Sequence, residues 1–138
     1  MTEHEQNLTE QELAFLNSVF DLARENKPLA LKSLFDQGVP VDLTNAAGDT
    51  LLILAAYHEH SELVQLLINE GADLDRLNDR GQTALVCAAF RNNLPIARML
   101  LDAGAREDLG SQTPAQVAAF FGLEQMIQLF GPPSQAQP

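Results

Sequence analysis

Apolar positions recur in short runs at helical spacing, each closed by a polar break or a glycine. From Thr50, the apolar positions Leu52, Ile53, Ala55 and Ala56 predict a first helix. The polar stretch His58-Glu59-His60-Ser61 ends it, and Leu63, Val64, Leu66, Leu67 and Ile68 predict a second. Gly71 stops that helix, because glycine accepts the left-handed conformation of a helix terminus. The scheme then restarts. Thr83 matches Thr50 as a start whose hydroxyl can satisfy a free amide. Ile96, Met99, Leu100 and Leu101 supply the next second helix, with Pro95 in its first turn and Gly104 as its stop. Between the pairs runs a polar linker, Asp73 to Arg80, rich in turn formers.

The restart is a true repeat. Gly48-Asp49-Thr50-Leu51-Leu52 aligns with Gly81-Gln82-Thr83-Ala84-Leu85 at a 33-residue offset, which also relates Ala55-Ala56 to Ala88-Ala89 and Asn45 to Asn78. Gly38, Gly71 and Gly104 keep the same step. Thr113-Pro114 and Ala118-Ala119 continue the series after a shortened step of 30. Two full units and two partial ones are visible.

At these residues the chain resembles the ankyrin repeat family, whose unit of about 33 residues combines a β-turn, two helices and a T-P-L-H-x-A signature. The matching stretches begin at Thr50, Thr83 and Thr113, and Gly71-Ala72 and Gly104-Ala105 match the family's Gly-Ala pair. Only Thr113 keeps its proline, and Ile53, Val86 and Gln116 stand at the signature histidine. Apolar packing is therefore expected to take the place of that histidine's hydrogen bonds. The resemblance implies an all-α repeat solenoid of stacked helix-turn-helix units with short β-hairpin-like linkers. Its expected organisation is an acidic flexible lead-in over 1–12, a repeat domain over 13–131 and a flexible tail over 132–138. The units are about 13–45, 46–78, 79–108 and 109–131. Stacked units need polar-faced caps. In the N-terminal cap, Leu22-Ala23 takes the Ala-Ala place, and Leu13, Phe15, Leu16, Val19 and Phe20 are expected to extend its first helix apolar side inward. Met126, Ile127, Leu129 and Phe130 supply a short last helix, stopped by Gly131.

Charge narrows the function. The chain has 138 residues, 8 basic and 19 acidic, for a net charge of −11. Such a balance disfavours nucleic acid and anionic membrane, which both need a basic patch. Residues 1–12 carry four acids and no base, so over a third of the excess lies in the lead-in. The polar, acidic start is unlike a secretory signal, and no run reaches the roughly 18 apolar residues of a membrane span. These features lead us to expect a cytoplasmic protein.

The candidate chemistry is thin. No phosphate-binding loop is present, since Gly48, Gly71 and Gly81 punctuate the repeat. His58 and His60 could begin a metal site, but no third ligand follows at a suitable spacing. The plainer reading makes His60 an inter-helix turn residue and leaves His58 on the surface. Cys87 matches Leu54 in the previous unit, so a packed apolar role outweighs a nucleophilic one. The acid pairs Asp73/Asp75 and Glu107/Asp108 fit solvated turns. No catalytic constellation, metal or cofactor is expected.

What remains is a binding surface. The family's concave surface is built from hairpin tips and the exposed side of the first helices. By register this implies Thr44, Ala46, Ala47, Asp49, Tyr57 and His58 in one unit, and Leu77, Asp79, Arg80, Gln82, Phe90 and Arg91 in the next. The last unit adds Phe120 and Phe121. Tyr57, Phe90 and Phe120 share one repeat position, with His58, Arg91 and Phe121 beside them. These rings either meet a partner as hot spots or pack on one another between repeats. Second-helix residues such as Gln65 and Arg98 are expected on the outer face. We therefore expect a non-catalytic module, monomeric when free, that binds a protein partner through this groove. The alternatives are an enzyme with a cryptic site at His58, His60 and Cys87, or a subunit of a larger assembly docked through an end cap.

Overall fold

In the computed structural model, residues 8–132 are described. They form four helix pairs: α1 (Glu10–Arg24) with α2 (Pro28–Asp36), α3 (Leu51–Tyr57) with α4 (Ser61–Asn69), α5 (Ala84–Phe90) with α6 (Leu94–Asp102), and α7 (Pro114–Phe121) with α8 (Glu124–Phe130). The first helices stack in the order α1, α3, α5, α7, and α2, α4 and α6 stack behind them.

Local chemistry sets each boundary. Thr50, Thr83 and Thr113 cap their helices, with side-chain oxygens accepting from the amides of Ile53, Val86 and Gln116. Gln116 also reaches back to the Thr113 amide, closing a capping box. Each pair turns through one left-handed residue at the same repeat place: Asn26, Glu59, Asn92 and Gly122, with φ of 58°, 64°, 53° and 66°. The linkers are tight turns. Thr44 and Thr50 form an antiparallel bridge, and the side-chain oxygens of Asn45 and Asn78 each accept two backbone amides within their own turn.

The core runs the length of the stack. Leu51 to Ala56 and Ala84 to Ala89 are buried throughout, together with Leu63, Val64, Leu67, Ile96, Ala97 and Leu100. Ile53 and Val86, at the signature histidine place, are both 2 % exposed, so apolar packing does replace a polar network there. In the two central pairs the first helices, α3 and α5, have 7 residues against 9 for the second helices, α4 and α6.

The ends depart from expectation. Helix α1 starts at Glu10 behind a Thr9 capping box, so Glu10 to Glu12 are helical and not part of a flexible lead-in. Val19 and Phe20 are buried as expected, but Leu13 and Phe15 are half-exposed. The reason is length: α1 has 15 residues, and the 7-residue α3 covers only its C-terminal half. The remainder of the lead-in, 1–7, and of the tail, 133–138, lies outside the described residues. Met126 anchors α8 in the core.

Candidate partner-binding groove

The surface that the repeat register assigns to the groove comprises the last turn of each first helix and the hairpin before it. Tyr57 and Phe90 are each 43 % exposed, Phe121 50 % and Phe120 75 %, values far above those of the buried Ala-Ala pairs beside Tyr57 and Phe90. His58, Leu77, Asp79, Arg80 and Arg91 are exposed as well.

The two expected columns are joined diagonally. The Arg91 guanidinium lies 5.2 Å from the centre of the Tyr57 ring in the unit before it. Phe121 packs at 5.5 Å against Phe90, again one unit back. Phe120 meets Phe121 edge-on at 4.9 Å, so Phe90 pairs with the second column and not with Phe120. The same diagonal begins one unit earlier, where His58 shares a cavity with Arg24. Arg24 lies 33 residues before Tyr57 and therefore heads the column. The repeat register carries this signal, and the reading from sequence missed it by starting the column at Tyr57.

That cavity, about 180 Å³, is lined by Arg24, Asp49, Ile53, Leu54, Tyr57, His58, Arg80 and Cys87. Asp49 is buried and accepts from Asn78 Nδ2 at 2.8 Å, with Arg80 Nη2 at 3.9 Å. A second cavity of about 260 Å³ lies one unit further on, lined by Arg80, Gly81, Gln82, Val86, Phe90, Ser111 and Gln112. Gln82, Val86 and Phe90 there occupy the places of Asp49, Ile53 and Tyr57.

Inter-unit ties hold these walls. The Glu59 carboxylate accepts from Arg91 at 3.0 Å and from Asn93 Nδ2 at 3.1 Å, and Asn93 in turn caps α6. His60 Nε2 lies 2.7 Å from the Arg24 carbonyl oxygen, so this nitrogen donates. Asp42 and Asp75 each accept the amide of a residue in the following linker, Asp73 and Arg106 respectively. The acidic linker residues are thus turn and stacking groups. On the hairpins, the Asp79 amide donates to Ala47 O at 3.0 Å and the Ser111 amide to Gly81 O at 2.9 Å.

The chemistry available is that of recognition. Burial pushes the Cys87 thiol up to about 12, so it stays protonated and unreactive at neutral pH. His58 is held below its ordinary value, first by partial burial and then by the positive charge of His60, Arg24 and Arg91. His58 and His60 stack at 6.0 Å, and no group of three or more potential metal ligands converges among the described residues. Among the described helices, none is long and apolar enough to cross a membrane.

The family model for ankyrin repeats, three copies, matches residues 20–112. A Pseudomonas aeruginosa protein named as an ankyrin repeat protein is 46 % identical over 52 residues, which cover 38 % of this chain and 30 % of that protein. Ankyrin repeats are generally protein-interaction modules, and the family is generally non-catalytic. Four stacked helix pairs, the 33-residue register and a family match over most of its length place this chain in the ankyrin repeat family.

Proposed function

We propose that this protein is a non-catalytic interaction module that captures a protein partner along its concave groove. The observation that carries this reading is the diagonal cluster of Tyr57, Arg91, Phe90, Phe121 and Phe120. It is braced from behind by inter-unit hydrogen bonds, yet leaves its rings substantially exposed. Rings held in place lose little further side-chain entropy on binding, which is what makes aromatic residues and arginine effective hot spots. Packing between repeats and contact with a partner are compatible here, because the rings touch one another and still remain 43–75 % exposed. Leu77, Asp79 and Arg80 extend the surface onto the hairpins, and His58 extends it toward the first unit. The free chain acts as a cytoplasmic monomer in this reading. An enzymatic role at Cys87 has no support from its environment, since burial keeps the thiol protonated.

The test is affinity capture from the source cell with the wild type and with Tyr57→Ala/Phe90→Ala/Phe120→Ala, alongside circular dichroism. The expected result is lost capture with helical content unchanged. Unchanged capture overturns the groove assignment.

A further inference from the structure

The groove is not chemically uniform, and its polarity points to the partner. At the N-terminal end, the 180 Å³ cavity gathers cationic or ionisable side chains from three successive units: Arg24, His58 and Arg80. One carboxylate, Asp49, stands against them, and Asn78 already occupies one of its oxygens. At neutral pH the charged groups lining the cavity are two guanidiniums against one carboxylate, a small positive excess in a chain whose net charge is −11. A guanidinium offers five N–H donors. Arg24 uses Nη1 on Asp21, and Arg80 uses Nε on Gln82 with a longer contact to Asp49, so both keep donors for a ligand. Arg91, by contrast, spends two donors on Glu59 and lies over Tyr57. At the other end, the lining turns aromatic and neutral, with Phe90, Phe120 and Phe121 exposed.

We propose that the cavity bounded by Arg24, His58 and Arg80 receives the carboxylate side chain of an extended partner segment, whose apolar anchor sits on the Phe90–Phe121 pair. This rests on the groove reading above and adds the partner's chemistry and polarity to it. Guanidinium groups favour carboxylates because their planar donor fork matches two oxygens at once. Net negative charge does not forbid such a ligand, since charges beyond a screening length of about 8 Å at physiological salt are largely neutralised. Neighbouring helices pack about 8–10 Å apart, so an offset of about one and a half units separates the sites by about 14 Å. An extended chain advances about 3.3 Å per residue, which places acid and anchor about four residues apart.

The experiment titrates the full chain with an acetylated, amidated peptide, Glu-Gly-Ser-Gly-Phe, following backbone and arginine Nε–H resonances by NMR. Companion peptides carry Gln in place of Glu, or Gln together with a free C-terminal carboxylate. The Glu peptide is expected to shift Arg24, Arg80 and His58, and the Gln peptide to bind about tenfold more weakly, the worth of one charge-assisted hydrogen bond. Arg24→Gln and Arg80→Gln, both at exposed side chains, should each remove the preference for Glu. Equal response to Glu and Gln, no response to either, or a preference for the terminal carboxylate overturns the inference. Persistence of the Glu preference in both arginine variants also overturns it. If the triple aromatic variant still captures its partner, the groove reading fails. If capture is lost but Glu and Gln are not distinguished, only the carboxylate assignment fails.

Discussion

Two cavities occupy the same place in successive units, one walled by Arg24, Asp49, Tyr57 and His58, the next by Gln82, Phe90, Ser111 and Gln112. Their floors are equivalent: Ile53 in one and Val86 in the other, each buried behind a threonine cap. Their rims are not. The repeat therefore separates two tasks that a globular core mixes. Buried positions recur because every unit must pack on the next in the same way. Rim positions tie units together through contacts that differ from one step to the next, so they can carry charge at one end and rings at the other. The gradient from Arg24 and His58 through Tyr57 and Arg91 to Phe90 and Phe121 is the part of the molecule that can encode a partner.

The comparison breaks most easily at the shared floor. Ile53→Ala should cost about 2–5 kcal/mol, because it opens a void between stacked helices that cannot collapse. A urea titration measures it, and a loss below about 1 kcal/mol would mean the floor is not packed as described. Gly48 tests the hairpin wall. Its φ is +79°, and an added Cβ would meet Asp79 Oδ1 at 2.6 Å and Asp79 N at 3.0 Å. Gly71, at φ +84°, has nothing within 4 Å. Gly48→Ala should cost about 1–3 kcal/mol, and Gly71→Ala less, since it carries only the left-handed penalty. Equal losses would contradict the close approach of successive hairpins.

Smaller effects sharpen the contrast between the rims. A double-mutant cycle on Phe90 and Phe121 should give a coupling of about 0.5–1.5 kcal/mol, the range for an aromatic pair. The Tyr57–Arg91 cycle should give about 0.5–1 kcal/mol, as for an exposed cation–π contact. No coupling in either would remove the diagonal bracing. The smallest expected effect is at His58. Its folded pKa lies below the ordinary 6.5, so the unfolded chain binds more protons in that window. Its contribution to stability is present above 6.5 and is lost as pH falls through the lower folded value. His58→Gln should flatten this part of the stability–pH curve. An unchanged slope would show that His58 does not feel the cavity.

Much of this fold was legible because its signals repeat. The threonine caps, the Ala-Ala pairs and Gly71 and Gly104 could each be checked against a copy 33 residues away, and all stand at the boundaries they predicted. The ends were less legible because they lack a copy on one side. Leu13 and Phe15 look like core residues by periodicity, yet no neighbouring helix is long enough to cover them. In the groove, register gave the two columns but not their diagonal linkage, since spacing does not fix which ring leans on which. Arg24 could have been found by extending the column one unit. Glu59 could not, because its role depends on a left-handed turn that points its carboxylate at Arg91 and Asn93. The charged cavity was likewise hidden, as Arg24, Asp49 and Arg80 are far apart in sequence and meet only through stacking.

The central claim is that binding lies on the first-helix face and not on the second-helix face. The most direct measurement is the partner's dissociation constant, by calorimetry, for a groove variant Tyr57→Ala/Phe90→Ala/Phe121→Ala and an outer-face variant Gln65→Ala/Arg98→Ala. Two lost hot spots of about 2 kcal/mol each would weaken binding by about a thousandfold. The account predicts a loss of that order for the groove variant and none for the outer-face variant. A groove variant that binds like the wild type, or an outer-face variant that loses binding, would contradict it.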